Sequence, residues 1–351
     1  MIKCSEYVSL GHPDKIADYI SQYLLDRYIE RDPNTRYAVE VQIKDYTVTL
    51  GGEVSSAAKF SDNQIADYVR KAVNDIGYTS AYATDWGLEN TICGEVLNVV
   101  SHIGQQSPDI AQGVNNDGWG DQGIFFGYCE YRPDTCGMPY EHTVAKRLCK
   151  DLFESGLGGL DIKTQVITRN GSVNKVIVAI PLHPDGRTTI RTVRRFVRKH
   201  IPGRYKLIVN GTGEYVKHSS IADCGTTGRK LAVDFYGGNS IIGGGCPWTK
   251  DASKADLTLN LCARKMSIGY ALRYKVGVQV SLACCIGKKA VDCCINDLEG
   301  NTLFEHTIDI SPSELRKAYH LDHPIYASMC RWGLFGEFQQ DKVWEKVITN
   351  K

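Results

Sequence analysis

Apolar residues recur at every fourth position through Ile16, Ile20, Leu24 and Tyr28, which predicts an amphipathic helix over 14–31 that stops before Asp32 and Pro33. The period then changes to two. Val39, Val41 and Ile43 alternate with Glu40, Gln42 and Lys44, and after a turn near Asp45 the alternation resumes through Tyr46, Val48 and Leu50. This is a hairpin with Glu40 on its polar face. Ser61 with Gln64 three residues on forms a capping box, and the stripe Ile65, Val69, Val73, Ile76 that follows predicts a second helix ending at Gly77.

The order of hairpin then helix returns twice. In the second unit 165–168 and 175–180 read as strands, Ile190, Val193, Val197 and Ile201 make a helical stripe, and 206–209 is a further strand. The third has strands at 276–280 and 290–295 and a helix opening at Ser311, with Pro312 at its first position and Glu314 completing another capping box. No low-complexity linker separates the units. The pattern predicts an α+β chain of three similar β-hairpin/helix subdomains over 1–101, 102–221 and 222–351, with tight interfaces and segments able to exchange between them.

Composition narrows the partners. With 351 residues, 42% hydrophobic, 23% charged and a net charge of +1, the chain has no global field for nucleic acid or an anionic membrane. No segment approaches the roughly 18 uninterrupted apolar residues of a membrane span, and the first residues lack a signal peptide's apolar run, so a cytoplasmic protein is expected. Thirteen cysteines are read as reduced. The adjacent pairs Cys284–Cys285 and Cys293–Cys294 lie in strand-like runs without zinc spacing, and are expected to pack. The cations Arg187, Arg191, Arg194, Arg195, Arg198 and Lys199 back an apolar stripe without interleaved aromatics, which favours a solvated face over a nucleic-acid surface.

Five polar islands lie between the regular elements. GHPDKIAD at 11–18 places Asp14 and Lys15 in the first turn of a helix, where free N–H groups favour a phosphate and a carboxylate can hold a divalent cation. IGQQSPDIAQGV at 103–114 and GWGDQGIFFGY at 118–128 form a glycine-rich connection suited to a lid and carry Gln106 and Asp121. DIKTQV at 161–166 sets Asp161 and Lys163 two apart. ADCGTTGRK at 222–230 groups Asp223 with Arg229 and Lys230, and a triple glycine at 243–245 precedes Lys250, Lys254 and Asp256. Cations that would repel one another, gathered with carboxylates, describe a site for a polyphosphate and Mg²⁺.

In order along the chain, these islands, with GGE at 51–53 and HPIY at 323–326, are similar to sequence blocks of the S-adenosylmethionine synthetases, or methionine adenosyltransferases. The resemblance implies the pseudo-threefold fold of that family. It also implies a reaction of ATP, L-methionine and water to S-adenosylmethionine, phosphate and diphosphate. The methionine sulfur attacks C5′ of ATP, and the displaced triphosphate is then hydrolysed. A thioether has no proton to lose, so no general base is needed and catalysis rests on positioning and on stabilising the leaving group. By the same resemblance His12 hydrogen-bonds the oxygen leaving C5′, and Lys15, Lys163, Arg229, Lys230 and Lys250 hold the phosphates. Asp14 and Asp256 bind two Mg²⁺, and Glu40 ligates K⁺. Glu53, Gln106, Asp121, Asp223 and Lys254 surround methionine, Tyr215 stacks on adenine, and Asp161 lies near the ribose. A homodimer at minimum, possibly a homotetramer, is implied, with each active site drawing on both chains. Cys246, Pro247, Trp248 and Thr249 depart from the family's common Ala, Phe, Ser and Gly, and the connection before Asp121 is short for the family.

Overall fold

The three hairpins read from the alternation each become the middle of a four-stranded sheet. The computed structural model describes residues 1–104, 117–336 and 342–346. In chain order the elements begin with β1 (Ile2–Val8), α1 (Pro13–Ile29), β2 (Arg36–Lys44), β3 (Thr47–Ser55), α2 (Asp62–Ile76), α3 (Ser80–Trp86), β4 (Asn98–Gly104) and β5 (Gly123–Cys129). They continue with α4 (Tyr140–Glu154), β6 (Lys163–Arg169), β7 (Ser172–Ala179), α5 (Ile190–His200), β8 (Lys206–Val209), β9 (Gly225–Thr226) and the single turn α6 (Leu231–Asp234). The last are α7 (Ala255–Tyr274), β10 (Val278–Cys284), β11 (Ala290–Asp297), β12 (Thr302–Asp309), α8 (Pro312–Ala318) and α9 (Tyr326–Arg331). No helix among the described residues is long and apolar enough to cross a membrane.

The sheets run β9-β2-β3-β4, β1-β6-β7-β8 and β5-β10-β11-β12. In each, a strand from a distant part of the chain adds antiparallel to the outer edge of the hairpin. In the first two sheets the fourth strand lies parallel to its neighbour, which requires a crossover, and α2 and α5 supply it. The third differs from the expected hairpin-then-helix order. There β12 follows β11 directly as an antiparallel strand, and the capping-box helix α8 comes after it.

The exchanged strands bring the polar islands together. Antiparallel pairing of β1 with β6 sets Val8 opposite Lys163, so the chain leaving β1 for α1 passes beside Asp161 and Lys163. A Cβ on Gly11 would lie 2.3 Å from the Leu160 carbonyl oxygen, so only glycine permits this approach. Pairing of Gln42 with Thr226 and Ile43 with Gly225 carries the 222–230 island to the same helix start, where a Cβ on Gly225 would meet the Pro13 carbonyl oxygen at 2.1 Å.

The one-sided stripe expected for α1 is a correction: the helix is buried almost all round, including Asp14, Lys15, Asp18 and Asp26. It packs against α2, β2, β9 and α9, so both faces meet protein. α5 behaves as its pattern predicts, with Val193 and Val197 buried and Arg191, Arg194, Arg195, Arg198 and Lys199 exposed. All 13 cysteines are unpaired. Cys284 and Cys293 face the core, and Cys285 is exposed.

Candidate functional site

The polar islands fold into two groups. The first surrounds the N-terminus of α1. His12 is the N-cap, and its Nδ1 accepts the Asp14 N–H at 3.2 Å. Burial, followed by the positive charge of Lys230, pulls the imidazole down to about 3, so it is neutral near pH 7. With the Nδ1 lone pair already engaged, the single ring proton sits on Nε2, leaving a donor available to a ligand.

Asp14, in the same first turn, accepts the Thr226 N–H at 2.9 Å through one carboxylate oxygen and the Lys230 ammonium at 2.5 Å through the other. Arg229 stands 3.6 Å from it. Burial favours the neutral acid, but the bonds from Lys230 and Thr226 outweigh it and hold the carboxyl below its usual range. Asp161 is buried and accepts the Ser219 N–H at 3.0 Å, while its own carbonyl accepts the Tyr215 hydroxyl at 3.2 Å. Burial pushes the Asp161 carboxyl up to about 6, against the hydrogen bonds from Ser219 and Tyr215. Lys163 opens β6 and pairs with Glu6 across the sheet at 3.2 Å. Asp223 is exposed, and its charge and that of Lys163 both act on His12. The structure therefore brings together His12, Asp14, Asp161, Lys163, Tyr215, Asp223, Arg229 and Lys230.

The second group lies at the start of α7. Asp256, in its first turn, accepts the Gly245 N–H at 2.6 Å on one oxygen and the Lys250 ammonium on the other. Each group thus holds a carboxylate in one arrangement, with one oxygen on a backbone N–H and the other on a lysine. Gly243 passes so close to β5 that a Cβ there would lie 2.0 Å from the Ile124 carbonyl oxygen. Lys250 bridges to Ala38, and on the next strand Ala38 is paired with Glu53. Paired antiparallel residues share a face, so Glu53 and Lys250 project to one side of the sheet. Lys254 is the N-cap residue of α7. Asp121 is exposed just before β5, and its charge and that of Asp256 both act on the Cys284 thiol.

Glu40 stands between the groups. Its carboxylate accepts the Thr227 hydroxyl from the first loop and the Thr249 hydroxyl, at 3.1 Å, from the second. Gln106 lies outside the described residues, as does 105–114 of the expected lid, whereas 123–128 of that lid is a correction, being part of strand β5 in the third sheet.

Lys15 is a correction. Its ammonium was expected at a phosphate, yet the residue is 3% exposed and donates to Asp234 at 2.7 and 2.9 Å and to Asp18 at 3.2 Å. Burial opposes the charge, but Asp234 and Asp18 hold Lys15 well above its ordinary pKa. It is an internal counter-ion to Asp234 and Asp18. Sequence reading missed Asp18, Asp234 and the two threonines on Glu40. Asp18 was detectable, since it follows Lys15 by three residues on one helix face. Asp234 carried no such mark.

Comparison with known proteins bears on the whole chain. The family models for the S-adenosylmethionine synthetase N-terminal and C-terminal domains match residues 1–108 and 218–346. The S-adenosylmethionine synthase of Pseudothermotoga lettingae is 34% identical over 98% of this chain and 96% of its own. That of Mycobacterium sp. strain KMS is 33% identical with the same coverage. Among solved structures, an unusual S-adenosylmethionine synthetase from Campylobacter jejuni is similar with a TM-score of 0.86 at 30% identity, covering 99% of this chain and 97% of that one.

Proposed function

Given that the chain belongs to the S-adenosylmethionine synthetase family and converts ATP, L-methionine and water into S-adenosylmethionine, phosphate and diphosphate, we infer that its two polar groups are the two halves of the active site. The observation that carries this reading is the repeated carboxylate arrangement. Asp14 with Lys230, and Asp256 with Lys250, each offer an anion and a cation within one contact, and a metal-bound triphosphate satisfies both at once.

In this reading the neutral His12 donates from Nε2 to the oxygen that leaves C5′. Lys163, Arg229, Lys230 and Lys250 hold the phosphates, and Lys15 supports them from beneath. Tyr215 and Asp161 hold the nucleoside. Glu53, Gln106, Asp121, Asp223 and Lys254 surround methionine, and the carboxylate of Asp121 offsets the positive charge that develops on sulfur. The sulfur needs no base, so these residues act by orientation and by charge.

Among the described residues no cluster of three or more His, Cys, Asp or Glu is arranged for a metal. That fits Mg²⁺ in a nucleotide enzyme, which one or two carboxylates hold with phosphate and water oxygens as the rest of the shell. Asp14 and Asp256 would each hold one ion, and bound Mg²⁺ would neutralise charge on the departing triphosphate. Glu40, with the hydroxyls of Thr227 and Thr249 beside it, offers the hard oxygens that suit K⁺. Because the two groups lie apart along the chain and the family resemblance pairs chains at the site, we place the first half of one protomer against the second half of its partner, in a cytoplasmic homodimer or larger homo-oligomer. The test is incubation with ATP, L-methionine, Mg²⁺ and K⁺, followed by detection of the sulfonium, phosphate and diphosphate. Omission of either ion should lower the rate, and a chain that forms no sulfonium under these conditions would refute the reading.

A further inference from the structure

Beneath the site lies a buried charge cluster in which Lys15 is the only member given a part above. The Lys15 ammonium bonds Asp234 and Asp18, and it sits 4.6 Å from the centre of the Trp248 indole ring. Lys15 is 3% exposed, Asp234 2%, and Asp18 and Trp248 are fully buried. Each partner also holds one of the two loops. The free oxygen of Asp18 accepts the Gly228 N–H at 2.9 Å, one residue before Arg229. The Trp248 indole N–H donates to Asp234 at 2.7 Å, two residues before Lys250. A glutamine of α1, Gln22, donates to the Trp248 carbonyl.

Apolar packing is often as stable as a buried ion cluster, so stability alone is a weak reason to keep one; fixing register is its best-attested use. The geometry here suits that use. One ammonium faces two carboxylates, and the negative excess is met by two N–H dipoles, those of Gly228 and of the Trp248 indole, each belonging to a different loop. Moving either loop uncovers a buried anionic oxygen, so the loops are tied to α1 and through it to each other.

We propose that Lys15, Asp18, Asp234 and Trp248 are positioning residues that set the loops 226–230 and 243–250, and so the phosphate-facing Arg229, Lys230 and Lys250, from a single buried ammonium. This rests on the assignment of those cations to the phosphates of ATP. The indole is the distinctive part: its ring covers the ammonium while its N–H fixes Asp234, and the rest of the loop turns about it to present Thr249 to Glu40 and Lys250 to Asp256.

The discriminating variant is Trp248→Phe, which keeps an aromatic ring over Lys15 and removes the indole donor. Steady-state constants for ATP and for L-methionine are measured on the full-length protein, with circular dichroism at the assay temperature to report the folded fraction. Loss of one hydrogen bond to a buried charge should lower kcat/KM for ATP by about tenfold, while KM for methionine stays within about twofold and the protein remains folded. Lys15→Met, which strands two carboxylates, should lower it at least as far where the variant folds. Wild-type constants in Trp248→Phe would overturn the proposal, and so would an equal loss for both substrates that tracks the unfolded fraction. If the wild-type chain forms no sulfonium in the same assay, the assignment of the site falls and this inference falls with it.

Discussion

Lys230 and Lys250 each bind an aspartate from outside their own loop or turn, and each is expected to exchange that partner for phosphate when ATP enters. Replacing Lys250 with alanine should lower turnover by at least about tenfold, since loss of about 1.4 kcal/mol of transition-state stabilisation has that effect; rapid-quench measurement of sulfonium formation reads it directly, and a near-wild-type rate would remove Lys250 from the mechanism. His218 makes a prediction about stability. Its Nδ1–H donates to the Val216 carbonyl at 2.7 Å, so Nε2 accepts the Tyr82 hydroxyl at 2.8 Å, and Tyr82 in turn accepts the Leu160 N–H. Burial lowers this imidazole to about 4. A depressed folded-state pKa contributes stability above pH 6.5, and the contribution is lost as pH falls towards 4. At pH 5 it should amount to a loss of roughly 2 kcal/mol relative to pH 7. Urea unfolding of wild type and His218→Gln at both pH values should show a shallower fall in the variant; equal slopes would assign the acid sensitivity elsewhere, for instance to the buried His142. At this scale the motif at 11–18 places Asp14 against Lys230 and the Thr226 N–H, while Lys15, turned about 100° further round the helix, reaches the buried Asp234 and Asp18.

Elements whose ends carry side-chain chemistry were readable in advance. The capping boxes at Ser61 and Ser311 both form, with Ser61 accepting the Gln64 N–H and Gln64 accepting the Ser61 N–H. Gly77 closes α2 at φ 122°, a conformation that favours glycine. Ser61→Ala should therefore destabilise the protein by about 1 kcal/mol without altering its kinetic constants, a change that denaturant titration resolves. Elements without such marks were missed. α7 is buried along most of both faces, so its 20 residues show no stripe, and its first turn carries Asp256 directly from the glycine-rich loop. β1 and β9 are recognisable only through their pairing partners, Thr164 and Gln42 among them, which lie far away in sequence.

Across the whole molecule, the repeat of three hairpins was legible, whereas the strand exchange that builds the site was not, because period-two alternation says that a strand exists and nothing about its neighbour. The two-group arrangement gives a prediction that concerns the assembly. His12→Ala damages the first group and Lys250→Ala the second. If each site combines opposite groups from two chains, a mixture of the two inactive variants, allowed to exchange subunits, should recover about a quarter of wild-type activity, because half the dimers are mixed and each mixed dimer holds one intact site. No recovery after verified exchange would place both groups of one chain in one site. A monomer that retains full activity in sedimentation would do the same.

The outer strands also bear on how the chain is made. β1 is made long before its partner β6, which begins only at residue 163, and β5 must wait from residue 123 until β10 begins at 278. Until residue 278, then, the nascent chain carries at least one strand whose N–H and C=O rows have no mate, the condition in which edges pair with the wrong chain. The sheet nearest the N-terminus is completed late as well, because β9 arrives at residue 225. Synthesis of residues 163–284 therefore closes edges left open by β1, β2 and β5, and slowing it before residue 278 should raise aggregation more than an equal delay over residues 1–100.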